Sequence, residues 1–337
     1  MIPVFVVTGF LGSGKTTLLN RLVQHPRLAD TAVIVNEFGE IGIDHLLVES
    51  SHENTVLLAS GCLCCTVRGD LVDTLGDLAA KRDAGEVPAF ARVVIETTGL
   101  ADPAPVLQTL IGESTVIARY RLAGVVTTVD AIHGSGQLDE HRESLNQAAI
   151  ADVVVMTKTD IAPPNSVAAL RARLRRISPA APILEVVNGN VDPEQLFSGF
   201  EATDNLSVRL NRIEGAAIDE ANHDHRHDTG GLEVNRHDDR IAAISVIRDQ
   251  PLEWPTVRTW LQSIASLRGA DLLRVKGTVN VVGIDAPVVV HGVQHVFDPP
   301  RRLDRWPDGD RRTRIVVIAR DLDGAGLNAA LDAVIDG

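Results

Sequence analysis

Cysteine is scarce in this chain of 337 residues, and so are tyrosine, methionine and tryptophan: three, one, two and three copies respectively. An odd count of thiols argues against a disulfide-stapled fold. The apolar start, "MIPVFVV", has no basic segment ahead of it and runs straight into a glycine-rich loop, so a cytoplasmic protein without a secretory signal is expected. Long apolar runs are also missing. The longest are of strand length and are broken by glycine or charge, so no segment is expected to span a bilayer. Basic charge is in deficit, with 32 Lys and Arg against 45 Asp and Glu and a net charge of -13. Such a surface repels nucleic acid and anionic membrane and suits cations or basic partner surfaces. There is no internal repeat of fixed period.

What is present is enough apolar content, 45%, for real cores, in a length that favours two domains. The first two hundred or so residues alternate Val- and Ile-rich runs, "IPVFVVT", "TAVIVN", "TVLLAS", "ARVVIET", "LAGVVTTVD", "ADVVVMT" and "APILEVV", with segments long enough for crossover helices. That pattern predicts an α/β fold, a mostly parallel sheet with helices on both faces, over residues 1–200. Residues 201–240 turn polar, rich in Asn, Asp, Gly and His, and read as a linker. Residues 241–337 resume with a strand at "RIAAISVIRD", a helix at "WPTVRTWLQSIASL", three more strands near "DLLRVKGTVNVVG", "PVVVHGVQHV" and "TRIVVIAR", and a closing helix, which predicts a smaller α+β C-terminal domain.

The clearest motif runs from Gly9 to Thr16, "GFLGSGKT", and fits G-x-x-x-x-G-K-[ST] between an apolar strand and an amphipathic helix pattern. Glycines at 9, 12 and 14, with Ser13 and Thr17 in the same turn, let backbone N–H groups face phosphate oxygens. Lys15 is then placed for the β and γ phosphates and Thr16 for Mg²⁺. Glu96, at the end of "RVVIE", suits a carboxylate that holds the ion directly or through water, and the Gly99 N–H suits a sensor of the γ-phosphate. "TKTD", residues 157–160, follows another apolar strand. Asp160 can accept from N1–H and the N2 amino group of guanine, whereas adenine offers a lone pair there, so GTP is favoured over ATP. The Lys158 stem would lie along the base. The segment resembles the N-K-x-D guanine motif with Thr157 in place of Asn, which puts the N7 contact and the usual tether to the phosphate loop in question.

All three cysteines, Cys62, Cys64 and Cys65, sit in "GCLCC". Adjacent cysteines pair only with a strained backbone, so thiolate ligation of a metal is the leading reading, with buried apolar cysteines as the plain alternative. In the order of its motifs, "GFLGSGKTTLLN", "VNEFGEIGID", "GCLCCTVRGDL", "ETTGLADP" and "TKTD", the chain resembles the CobW-type GTPases, metallochaperones related to HypB and UreG, the hydrogenase and urease nickel-insertion GTPases. The resemblance implies a P-loop G domain of the SIMIBI class, a CobW-like C-terminal domain, GTP hydrolysis coupled to metal delivery, and Cys62, Cys64 and Cys65 as the metal site.

Three soft thiolates suit Zn²⁺, and the lack of a fourth neighbouring ligand leaves a position open for transfer to a client. Glu37 and Glu40, in what should be the first switch loop, are candidate auxiliary ligands, or else face solvent or Mg²⁺; Asp44 would position Mg²⁺ or the attacking water. His223, His225, His227 and His237 fall within fifteen residues of the linker and either collect metal or are simply solvated. No glutamine or arginine is evident to assist hydrolysis, so slow intrinsic turnover is expected, with a partner or a second copy of the chain completing the site. Cobalt or iron as cargo (Co²⁺ or Fe²⁺, for cobalamin synthesis or a nitrile hydratase), a metal-responsive regulator without insertion activity, and a P-loop kinase remain the rivals.

Overall fold

The computed structural model describes residues 1–36, 56–60, 67–197, 241–269, 271–306, 309–322 and 324–336. Glu37, Glu40, Asp44, Cys62, Cys64, Cys65, His223, His225, His227 and His237 lie outside the described residues. The chain forms two compact units.

In the first, each of the seven Val- and Ile-rich runs is a strand: β1 (Ile2–Gly9), β2 (Thr31–Asn36), β3 (Val56–Ser60), β4 (Arg92–Glu96), β5 (Tyr120–Asp130), β6 (Val153–Thr157) and β7 (Ile183–Val186). Every pairing is parallel, and the order across the sheet is β3-β2-β4-β1-β5-β6-β7. Helices α1 (Lys15–Val23), α2 (Val67–Ala84), α3 (Ala104–Gly112), α4 (Ser114–Ile117), α5 (Gly134–Glu140), α6 (Arg142–Ala149), α7 (Pro164–Ile177) and α8 (Pro193–Phe197) supply the crossovers and the closing turn. Such strands must be apolar on both faces, because helices cover both. On one face Leu18, Leu19 and Leu22 of α1 and Phe197 of α8 pack with Phe5, Val7, Val33, Val94, Val126 and Val155. The alternate residues Val4, Val6, Ile34, Val93 and Ile95 are as deeply buried, and α3 and α4 pack along β5. The Tyr120 hydroxyl donates to the Leu75 carbonyl of α2 at 2.9 Å, and burial pushes this phenol up to about 12.

Because the strands are parallel, their C-terminal ends share one edge of the sheet. The order reverses around β1: the chain leaves β1 for β2 on one side of it and leaves β5 for β6 on the other. A crevice opens at such a point, and it is where ligands bind in sheets of this kind.

The second unit is an antiparallel sheet in the order β11-β10-β9-β13-β8, comprising β8 (Ile241–Arg248), β9 (Leu272–Val279), β10 (Val288–Val293), β11 (Val296–Phe297) and β13 (Thr313–Arg320), with the short β12 (Arg301–Arg302) also on β10. Helices α9 (Trp254–Arg268) and α10 (Gly324–Asp336) pack on one face. Their Trp260, Leu261, Leu327 and Leu331 close over Val246, Val275 and Val317. The run "PVVVHGVQHV", read as one strand, is a hairpin: Gln294 takes φ 53°, and the chain turns back so that Val293 pairs with Val296. A non-glycine residue in the left-handed region gives no sequence signal as strong as Asn-Gly, so periodicity alone ran through the turn.

Candidate nucleotide site

β1 delivers the chain at Gly9, and α1 starts at Lys15, so residues 9–14 make the strand-to-helix turn. Gly9, Gly12 and Gly14 take φ values of 141°, 71° and 91°, which side chains with a Cβ resist. At Gly9 there is no room either: a Cβ would lie 2.3 Å from Thr128 Oγ1 and 2.4 Å from the Thr128 carbonyl oxygen. The Lys15 ammonium folds back across the turn and donates to the carbonyls of Gly9 at 2.8 Å and Phe10 at 3.1 Å. This holds a positive charge over the mouth of a loop whose N–H groups open a helix, an arrangement that binds phosphate.

Glu96 ends β4 beside β1, in register with Val7. It is 5% exposed, and the Thr16 hydroxyl donates to its Oε1 at 3.2 Å. One hydroxyl and one carboxylate, hard oxygen donors side by side at the phosphate loop, are the donor chemistry Mg²⁺ takes when phosphates and water complete its shell. Beyond Glu96 the chain stays tied to β1: Thr97 N donates to the Val7 carbonyl at 3.0 Å and the Thr97 hydroxyl to that of Thr8 at 2.8 Å. Gly99 then packs on the phosphate loop so closely that a Cβ would sit 2.7 Å from Leu11 Cδ2 and 2.8 Å from Leu11 N. Gln147 of α6, 1% exposed, pins this loop by donating from Nε2 to the carbonyls of Gly99 at 3.2 Å and Ala101 at 3.0 Å.

On the other side of β1 the ends of β5 and β6 complete the edge. The tether that Thr157 put in question is present, carried by a hydroxyl: Thr157 Oγ1 donates to the Ser13 carbonyl at 2.8 Å. Ser13 Oγ and Thr128 Oγ1 are hydrogen-bonded at 2.6 Å beneath the loop. Lys158, at φ 57°, donates from Nζ to the Gly12 carbonyl at 2.8 Å and to Asp130 Oδ2 at 2.6 Å. Asp160 follows in the turn after β6 and is exposed.

Gly9, Gly12, Ser13, Gly14, Lys15, Thr16, Thr17, Glu96, Gly99, Lys158 and Asp160 are thus gathered at one sheet edge, on or just beyond the ends of β1, β4 and β6. Sequence reasoning missed Thr128, Asp130 and Gln147. Asp130 closes "VVTTVD" as Glu96 closes "RVVIE", a parallel that could have marked it. It missed as well the turn after β7, where Asn188 and Gly189 take φ values of 51° and 71°. There a Cβ on Gly189 would stand 2.6 Å from the Thr17 carbonyl, so this turn lies against the start of α1. Among the described residues no group of three or more His, Cys, Asp and Glu is arranged to hold a metal. None of the described helices is long and apolar enough to cross a membrane.

A parallel sheet with a glycine turn and its Lys-Thr pair after the central strand, and a carboxylate on the strand beside it, defines a P-loop nucleotide-binding protein. Residues 3–185 match the family described as CobW/HypB/UreG, nucleotide-binding domain, and residues 241–335 match the Cobalamin synthesis protein cobW C-terminal domain. The chain belongs to the CobW/HypB/UreG family. It is 33% identical to Zinc chaperone YjiA of Escherichia coli (strain K12) over 332 residues, 98% of this chain and 97% of that protein. It is 29% identical to Zinc-regulated GTPase metalloprotein activator 1 of Schizosaccharomyces pombe, over 95% of this chain and 83% of that one. The crystal structure of Zn(II)-bound YjiA GTPase from E. coli superposes with a TM-score of 0.68 at 27% identity, covering 99% of this chain and 98% of that chain.

Proposed function

We propose that this protein is a GTP-hydrolysing metallochaperone of the cytoplasm that binds Zn²⁺ at Cys62, Cys64 and Cys65 and passes it to a client metalloprotein, with residues 1–200 as the G domain, 201–240 as linker and 241–337 as the C-terminal domain. The observation that carries the nucleotide half is the shared sheet edge. There the loop of Gly9, Gly12 and Gly14 faces the Thr16–Glu96 pair on one side and the Lys158–Asp160 turn on the other. The metal half is supported by relatives named as zinc chaperones and as a zinc-regulated GTPase, and by the soft chemistry of three clustered thiolates.

In this reading the N–H groups of the loop and the Lys15 ammonium hold the phosphates, while Lys158 and Asp160 hold guanine. Thr16 and Glu96 would hold Mg²⁺, which would supply positive charge to the phosphates. Gly99, which lies on Leu11, senses the γ-phosphate through its N–H, and Gln147 carries that state to α6. Asp44 positions the attacking water, Glu37 and Glu40 are auxiliary ligands, and His223, His225 and His227 gather metal for the thiolates. A second copy of the chain, joined in the GTP state, would complete a site that has few groups to stabilise transferring charge.

Coupling requires the ion to bind the two nucleotide states with different affinity. A competitive zinc titration against a chromophoric chelator, under reducing conditions, tests this with a GTP analogue and with GDP, on the wild type and on a Cys62/Cys64/Cys65→Ser variant. One high-affinity ion, bound more tightly in the GTP state and lost in the variant, is expected. Equal affinity in both nucleotide states would leave GTP without a role in metal handling and would refute the proposal.

A further inference from the structure

We infer that Thr157 commits its hydroxyl proton to the phosphate loop, so that the N7 position of the purine goes unread and guanine is recognised through its Watson–Crick edge alone. The inference rests on the GTP-binding reading above and specifies how that site tells bases apart.

The argument is a count of protons. An asparagine amide carries two N–H donors, enough for one bond to the loop and one to the base, whereas a threonine hydroxyl carries one. That one is placed: Thr157 Oγ1 lies 2.8 Å from the Ser13 carbonyl oxygen, with the Val129 carbonyl a distant second at 3.4 Å. The residue is 7% exposed, and its side chain lies against Gly14, where a Cβ would come within 3.3 Å of Thr157 Cγ2. Turning the hydroxyl toward a base would leave the Ser13 carbonyl without this donor at the floor of the loop. Two of the three Lys158 Nζ protons are taken, by the Gly12 carbonyl and Asp130 Oδ2, and these bonds hold the ammonium at the loop with its stem left to lie along the base. N7 is a hydrogen-bond acceptor in adenine and guanine alike, so giving up this contact lowers affinity for both purines and leaves their discrimination intact. Discrimination then falls to Asp160, whose carboxylate would meet donors at N1 and N2 of guanine but a lone pair at N1 and a C–H at position 2 of adenine.

The test is displacement of a fluorescent GDP from the full-length protein with Mg²⁺ by GTP, 7-deaza-GTP, ITP and ATP. 7-Deaza-GTP, which has a C–H at position 7, should bind within about twofold of GTP, since no hydrogen bond is lost. ITP, which lacks the N2 amino group, should be weaker by roughly tenfold or more, the cost of one bond to a charged acceptor. In Thr157→Asn the second N–H becomes available, and GTP should then exceed 7-deaza-GTP by about fivefold. Thr157→Val, which removes the tether, should weaken both nucleotides alike. Wild-type discrimination against 7-deaza-GTP of about fivefold or more would overturn the inference, whether or not either variant folds. If instead ATP and ITP compete as well as GTP, the guanine reading itself fails, and the pair ATP and 7-deaza-ATP decides the N7 question in its place.

Discussion

Asp130→Asn removes one charge and no volume from the floor of the nucleotide site. Asp130 is 1% exposed, and its side chain does three things: Oδ2 accepts from Lys158 Nζ at 2.6 Å, and Oδ1 accepts from the N–H groups of Ile132 at 2.7 Å and His133 at 3.3 Å. Asparagine retains Oδ1 and so retains the turn, but it points an amide N–H₂ at an ammonium. Removing one member of a buried pair costs about 3–5 kcal/mol, and an exposed pair is worth about 1 kcal/mol or less. The Lys158 side chain is 36% exposed, so water can take over part of its solvation, and the expected loss of stability is about 1–2 kcal/mol. Lys158 keeps its bond to Gly12 but loses the anchor that aims its stem, so GTP affinity should fall about 5- to 30-fold. Denaturant unfolding and calorimetric titration with Mg-GTP measure the two effects. Asp130→Ala also strands two backbone N–H groups and should be less stable than the asparagine variant by about 1–3 kcal/mol. An asparagine variant with the unfolding midpoint and GTP affinity of the wild type, or an alanine variant no worse than it, would refute the reasoning.

Glu96→Gln should keep the contact with Thr16 but remove the charge suited to Mg²⁺; steady-state hydrolysis should fall by about tenfold or more, and the Mg²⁺ concentration for half-maximal activity should rise. Gly99→Ala drives a methyl group to 2.7 Å from Leu11 Cδ2 and 2.8 Å from Leu11 N, and that backbone must shift, so GTP turnover should drop by about 100-fold and stability should fall by about 1–3 kcal/mol. Tyr120 is the chain's one tyrosine, so its phenolate absorbance is assignable without mutation. In the folded state it should titrate near 12, above the ordinary tyrosine value of about 10, and because the unfolded chain sheds this proton first, stability should decline as pH rises from about 10 to about 12. A folded protein whose tyrosine titrates at the ordinary value would contradict that burial.

The sequence by itself determined the strands of the first domain, because a parallel strand covered on both faces must be a nearly unbroken apolar run, and seven such runs stand out. It also determined the phosphate loop, whose glycines and Lys-Thr pair are contiguous in the chain and obey local backbone rules. Tertiary structure decided the rest of the site. Thr128 bonds Ser13 across 115 residues, Asp130 meets Lys158 across 28, and Gln147 reaches back 48 to Gly99. None of these pairings leaves a mark on local composition, since each depends on which strand ends lie side by side, and the order β4-β1-β5-β6 is not the order of the chain. Thr157 shows the division most clearly. The sequence marks it as a departure from asparagine, and only the 2.8 Å approach of its hydroxyl to Ser13 reveals that the tether survived the change while the second donor did not.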